Sequence, residues 1–563
     1  MIPLDEQNFL GFVETPSELG RYEHYAVSTD AKPCAKIGSS LLAKGGSAID
    51  AAIGTLLCMG VTIPNSMGLG GGCIWTIYNR TTRQAIVIDG REIAPDYSSE
   101  NMFANSSLAA SRGSLSIGVP GELASYWKAH QMFGKLKWSE LFDESISMAE
   151  IGSPMVEHLS FALRQQSHAQ YITPPLAAIY KGPTNNQYLK EGEILVQKAL
   201  GNTLRRIRNN GAAEFYGGQT GKLFVDDLQK QGGKMTLENL MKYEALIKEP
   251  LKVDLGSDLT LFTPPPPASG IVLSIILRIM KGLGYYKNLK PQNNQDDSNL
   301  YYHRLAEAFK YAYAQRAGLE DNPDDPERME QLLKKLSSDK FIEEVVSKIT
   351  NETHNDSRYG GDEYFSEDHG TAHVSVLDSE GNAVAVTTSV NLYFGSGMVS
   401  PSTGIVYNDV MDDFVSPNLV NKFALAPSKF NRIRPGKRPV SSMAPSVFVD
   451  ADGNARLIIG ASGGAKITTA IATVSLRNCF LGEDIKTAID GPRIHHQFLP
   501  NKVWFELNFP DEILVSLKER GHSLNPILDR SSVVMAVAND RVDGKNSITA
   551  NSDHRKGGAV HGS

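Results

Sequence analysis

The chain has little that would tie it to a membrane, a metal or a nucleic acid. No apolar run approaches the roughly twenty residues a helix needs to cross a bilayer. The opening Met1-Ile2-Pro3-Leu4-Asp5-Glu6-Gln7 has neither the basic nor the apolar stretch of a secretory signal, so the sequence as given is not expected to direct its own export. Cysteine is scarce, with four in 563 residues (Cys34, Cys58, Cys73 and Cys479), and none has the paired CxxC spacing of a zinc site. The pair His495-His496 lacks acidic or cysteine partners nearby and reads as structural, so no metal is expected. A formal net charge of −7 offers no basic face to nucleic acid or to an anionic membrane. Internal repeats and low-complexity tracts are also missing.

What is present suits a large soluble enzyme. At 41% hydrophobic and 21% charged, the chain can bury a sizeable core, and its length alone predicts three or four domains. The most informative point is Gly370-Thr371, where the polar run from Tyr364 meets the β-prone run Ala372 to Leu377. A second β-prone run, Ala383 to Ser389, follows the turn-rich Asp378 to Asn382, which predicts a hairpin. If Leu377 pairs with Ala383, Thr371 lies opposite Ser389 and two hydroxyls face each other; a one-residue slip abolishes this. Were the bond before Thr371 broken, that residue would carry a hydroxyl nucleophile and a free amine to take its proton. The simpler alternative is a turn residue at a strand start.

Elsewhere the pattern reads as α/β scaffold. Ser47 with Asp50 three residues later predicts a capped helix start, continued by Ala51, Ala52, Leu56 and Leu57. An apolar helix is expected over Ile271 to Ile279, after the stiff Pro264 to Pro267. His303 to Leu319 has helical spacing with its charges on a solvated face, and Glu320 to Glu330 reads as a surface loop. Gly463-Gly464 precede a helix-like run from Ala465 to Phe480. Four acceptor triplets begin at Asn79, Asn105, Asn351 and Asn355 and suit an extracellular glycoprotein.

Several motifs occur in one order: Ser66-Met67-Gly68-Leu69-Gly70-Gly71-Gly72, Gly90-Arg91-Glu92-Ile93-Ala94-Pro95, Gly370-Thr371-Ala372-His373-Val374-Ser375-Val376, Asn391-Leu392-Tyr393-Phe394-Gly395-Ser396, Met411-Asp412-Asp413-Phe414, Pro439-Val440-Ser441-Ser442-Met443, Gly460-Ala461-Ser462-Gly463-Gly464 and Arg555-Lys556-Gly557-Gly558. In this the chain resembles the gamma-glutamyltranspeptidases of the animal type over nearly its whole length. The resemblance implies an N-terminal-nucleophile αββα sandwich formed by two fragments of an autocleaved precursor, a large subunit 1–370 and a small subunit 371–563. It implies that Thr371 cleaves the Gly370-Thr371 bond and then carries the γ-glutamyl group of glutathione or a related donor. Water, an amino acid or a dipeptide then accepts the group, and no cofactor is needed. Ser389, standing where relatives often have threonine, would orient the Thr371 hydroxyl, and Gly463 and Gly464 would form the oxyanion hole.

By the same resemblance, Arg91, Ser441 and Ser442 hold the donor carboxylate, while Asp413 and Asn391 hold its ammonium. Cys34 and Cys58 match a disulfide of animal relatives, although both as buried thiols is the alternative. Animal relatives look like this chain plus an N-terminal membrane anchor, so the expected location is extracellular, secreted or as the ectodomain of an anchored protein. One departure stands out: relatives commonly have Glu or Gln where this chain has Val410. That change removes an ammonium acceptor, and in an extended segment its neighbour Asp409 would point away. Two rival readings follow: a secreted homologue of weakened turnover acting as an extracellular effector, such as a venom component, or another amidase of the same fold, such as a cephalosporin acylase.

Overall fold

The hairpin around Thr371 lies at the middle of the molecule. A computed structural model describes residues 15–563 apart from 105, 183–185, 257, 286–294, 322–324, 361–362, 365–369, 416–425 and 543–544. Strands Gly370–Leu377 and Ala383–Asn391 pair antiparallel in the predicted register, with Leu377 opposite Ala383 and Thr371 opposite Ser389. Every residue of both strands is buried. An antiparallel strand with one solvated face would alternate polar and apolar; these do not, because layers cover both faces.

Those layers are two seven-stranded sheets, each antiparallel throughout. One runs in the order Ala559–Gly562, Ala26–Thr29, Gly370–Leu377, Ala383–Asn391, Gly72–Asn79, Gln84–Gly90, Leu246–Lys248. The other runs Gly20–Tyr22, Lys545–Ser552, Val533–Val542, Ala455–Ser462, Ser446–Val449, Thr260–Thr263, Leu251–Asp254. Apolar side chains such as Leu377, Ala385, Val447, Ile458 and Val537 fill the space between the sheets. Helices Lys32–Ala43 and Ala48–Thr62 cover the first sheet, and Gly270–Gly282, Gln295–Arg316 and Lys466–Ser475 cover the second. The result is the αββα sandwich of the N-terminal-nucleophile hydrolases, not three or four domains. Both sheets take strands from before and after residue 370, so a cut there would leave two fragments woven through one core.

The helix at Ala48 starts as expected: Ser47 caps it and exchanges hydrogen bonds with Asp50. Cys34 and Cys58 form a disulfide, which ties that helix to Lys32–Ala43. Two expectations need correction. On helix Gln295–Arg316 the charges do not form a solvated face, because Glu307 and Lys310 are buried and paired with each other at 2.6 Å. The stretch read as a surface loop contains the start of helix Pro326–Leu336, capped by Asp325 with Pro326 in its first turn, and Glu320 is buried against Lys437. Of the four sequon asparagines, Asn351 and Asn355 are exposed and Asn79 is half-buried, while Asn105 lies outside the described residues.

Candidate active site

The Thr371 and Ser389 hydroxyls lie 3.3 Å apart and both are buried. Ser389 Oγ also receives the Asn391 backbone N–H at 2.8 Å and donates to the Gly370 carbonyl oxygen. A serine hydroxyl has one proton and two lone pairs. With its proton on Gly370, Ser389 must accept from Thr371, so the Thr371 O–H points at Ser389 Oγ. The register shifts by one between Gly370 and Thr371, and Asn391 turns to a φ of 79°. A Cβ at Gly370 would meet the Leu392 backbone at 2.5 Å, so this close approach needs glycine.

The same turn carries a set of buried acceptors. Asn391 Nδ2 donates to the Asp409 carbonyl at 3.1 Å, and Asp409 Oδ1 receives the Leu392 N–H at 2.9 Å. Asn391 Oδ1 and Asp409 Oδ2 remain buried with no hydrogen-bond partner. Residues Val410–Asp413 form a 3₁₀ turn, not the extended segment expected from sequence. In a 3₁₀ turn residues i and i+3 eclipse, so Val410 and Asp413 share a side; the preceding Asp409 is fully buried, its carboxylate held inward by the Leu392 N–H.

Arg91 and Asp413, the two residues expected to take the opposite charges of a donor, pair with each other. Arg91 also lies 3.3 Å from Glu92 and 3.5 Å from the Pro439 carbonyl. Burial pushes the carboxyl of Glu92 up to about 7 and that of Asp412 to about 7, and raises those of Asp409 and Asp413, with Arg91 opposing the rise at Glu92 and Asp413. This crowding of acids favours an incoming cation. Ser442 Oγ accepts from Arg316 at 3.1 Å, and the Ser442 carbonyl accepts from Thr468 on helix Lys466–Ser475 at 3.2 Å. Ser441 Oγ takes the Met443 N–H at 3.2 Å.

Just ahead of that helix, Gly463 and Gly464 adopt φ of 122° and 61°, and a Cβ on Gly463 would meet the Ser532 backbone at 2.8 Å. Both glycines stand just ahead of the N-terminus of helix Lys466–Ser475, where the helix carries partial positive charge. The strand that precedes them, Ala455–Ser462, lies beneath the Thr371 strand, with the His373 ring against Gly460. Sequence reasoning missed Arg316 and Asp30, for which no spacing gave a signal. Lys556, in the motif Arg555-Lys556-Gly557-Gly558, donates from Nζ to the Thr371 carbonyl at 2.6 Å and to Asp30 at 2.5 Å, contacts that the sequence does not signal.

The sequence model described as Gamma-glutamyltranspeptidase matches residues 34–563. The chain belongs to that family. It is 44% identical over 550 residues to Scoloptoxin SSD14 of Scolopendra dehaani, covering 98% of this chain and 94% of the relative. It is 36% identical to Glutathione hydrolase 2 of Arabidopsis thaliana, covering 96% and 94%. Its fold is similar to that of a cephalosporin acylase from Bacillus halodurans, with a TM-score of 0.82, 23% identity and 98% of each chain covered. The gamma-glutamyltranspeptidase family thus accounts for the sandwich and for the motif order, and the chain is an enzyme of that family.

Val410, the residue at which a departure from the family pattern is expected, is buried and packs against Gly118. Val410→Gln, on the Asp413 side of the turn, is expected to lower the Michaelis constant for γ-glutamyl donors roughly tenfold, the worth of one hydrogen bond to a charge. Val410→Glu should gain less, because Glu92, Asp409, Asp412 and Asp413 already crowd the turn. Steady-state kinetics on the processed variants check this, and an unchanged constant in both would place residue 410 away from the donor.

Away from this site, His303, Glu307 and His522 have metal-like spacing among the described residues. Lys310 and Tyr359 hold Glu307 at 2.6 and 2.8 Å. His303 Nε2 faces the Thr350 carbonyl, so it carries the proton, and its bare Nδ1 faces His522 at 2.9 Å. The cluster is a charge-balanced tie. His495 and His496 are likewise buried and hydrogen-bonded, to Thr469 and Asn501.

Proposed function

We propose that Thr371 is the nucleophile of a self-processed γ-glutamyltransferase and glutathione hydrolase, with subunits 1–370 and 371–563. The observation that carries this reading is the closed network of Thr371, Ser389 and Gly370. As Thr371 Oγ attacks the Gly370 carbonyl carbon, its proton passes to Ser389 Oγ while the Ser389 proton moves to the carbonyl oxygen. Collapse of this intermediate breaks the C–N bond and leaves an ester on Thr371 Oγ and a free α-amine. Water then hydrolyses the ester, freeing the Gly370 carboxylate.

In the mature enzyme the Thr371 amine takes the hydroxyl proton as Oγ attacks the donor's γ-carbonyl. Gly463 and Gly464 N–H groups stabilise the oxyanion, and the amine returns the proton to the departing nitrogen. An α-amino acid head group exchanges with the Arg91–Asp413 pair: its carboxylate takes the guanidinium, with Ser441 and Ser442, and its ammonium takes Asp413, Asn391 Oδ1 and Asp409 Oδ2. Substrate amine and carboxylate thus replace an existing ion pair, which limits the cost of burying charge. Exposed Asn351 and Asn355 and the disulfide favour an extracellular setting.

The experiment is turnover of γ-glutamyl para-nitroanilide with and without glycylglycine. Release of the aniline, faster with the dipeptide, is the expected result. A processed chain with no turnover would favour the second reading, an extracellular effector of weakened activity, which Val410 and the likeness to a protein named Scoloptoxin support.

A further inference from the structure

We propose that Lys556, held by Asp30, is a positioning residue that fixes the Thr371 backbone and keeps the amine freed by cleavage neutral and able to accept a proton. This rests on the reading of Thr371 as nucleophile. Lys556 Nζ bridges the Thr371 carbonyl at 2.6 Å and Asp30 Oδ2 at 2.5 Å, and all three residues are buried. Burial raises the Asp30 carboxyl to about 6, opposed by Lys556 and by the His373 backbone N–H two residues along the nucleophile strand. A buried lysine is costly unless paired, and this one is paired by an acid from the other side of residue 370. Asp30 follows strand Ala26–Thr29 and Lys556 precedes strand Ala559–Gly562. The tie therefore joins the two fragments and outlasts the cut.

The position of the lysine gives it an electrostatic role. The nitrogen and carbonyl oxygen of one residue lie roughly 3 Å apart, so the Lys556 charge sits within about 6 Å of the new amine. A cation at that range disfavours a second cation, and an α-amine with an ordinary pKa near 8 would otherwise be largely protonated at neutral pH. Asp30, bonded to the same ammonium, attenuates the effect of that charge at the amine. Burial draws the Lys556 ammonium below its usual range while Asp30 opposes this.

The other groups facing this spot do not substitute for the pair. His158, on helix Glu157–Arg164, and His373 stay neutral because burial pushes them far down, His373 to about 3. Tyr393 stays neutral, pushed up to about 12. Arg530 is paired with Glu157, and Asp553 with Arg493 and Arg555.

The test is the pH profile of kcat/KM with γ-glutamyl para-nitroanilide. Lys556→Met combined with Asp30→Asn removes the pair without leaving an orphan acid. Its acidic limb is expected to move up by about one pH unit, with kcat near pH 7 falling several-fold and the alkaline plateau retained. A processed double variant with an unmoved limb overturns the proposal. If the double variant stays uncleaved, Lys556→Arg decides, because it keeps the charge: a limb at the wild-type value supports the proposal and one displaced by a unit overturns it. Failure of the Thr371 reading has a different signature, a wild-type small fragment that begins at another residue.

Discussion

Thr371→Ala is expected to remain a single chain and to lose γ-glutamyl turnover by on the order of a thousandfold or more, since one atom, Oγ, serves both reactions. Removing it leaves the Ser389 proton on Gly370 but supplies nothing to attack the carbonyl. The residual rate would come from donor binding and the Gly463-Gly464 turn alone. A denaturing gel reads the first effect and aniline release the second. Thr371→Ser separates attack from bulk: it keeps the hydroxyl facing Ser389, so it should still cleave and still turn over, at reduced rate. Normal two-chain processing of Thr371→Ala would exclude Thr371 as the cleaving nucleophile.

Arg91→Lys is the second large effect. The change keeps one positive charge beside Asp413 and Glu92, so the buried acids are not orphaned, but it loses the planar fork that takes a carboxylate through two parallel bonds. A hydrogen bond to a charged group is worth about 1.5–3 kcal/mol, which corresponds to a Michaelis constant raised roughly tenfold to a hundredfold or somewhat more. Cleavage should be unaffected, because Arg91 contacts neither Thr371 nor Ser389 in the network that performs it. Steady-state kinetics on the processed variant check the prediction, and an unchanged Michaelis constant would remove Arg91 from the donor site.

The centre of this architecture was legible because its signals are local. Two β-prone runs about a five-residue turn set the register, and with it the Thr371–Ser389 facing pair. Ser47 and Asp50 likewise marked a helix start through their own short-range hydrogen bonds. The sandwich and the residues proposed to bind the donor were legible only through the order of motifs, since nothing in the spacing of Arg91 and Asp413 brings residues 322 positions apart into contact. What escaped was tertiary. Lys310 and Glu307 look like a solvated stripe until the fold buries them together, and Asp30 looks ordinary until Lys556, 526 positions away, reaches it. The inward turn of Asp409 escaped for a related reason: Val410–Asp413 has no strong turn signal, and its 3₁₀ geometry is fixed by neighbours such as Asn408, which takes the Val410 N–H.

The most direct measurement is N-terminal sequencing of the small fragment after separation on a denaturing gel. The account predicts two chains, the smaller beginning Thr371-Ala372-His373-Val374-Ser375. A small fragment starting at any other residue, or an uncut chain that nonetheless turns over γ-glutamyl donors, would contradict it.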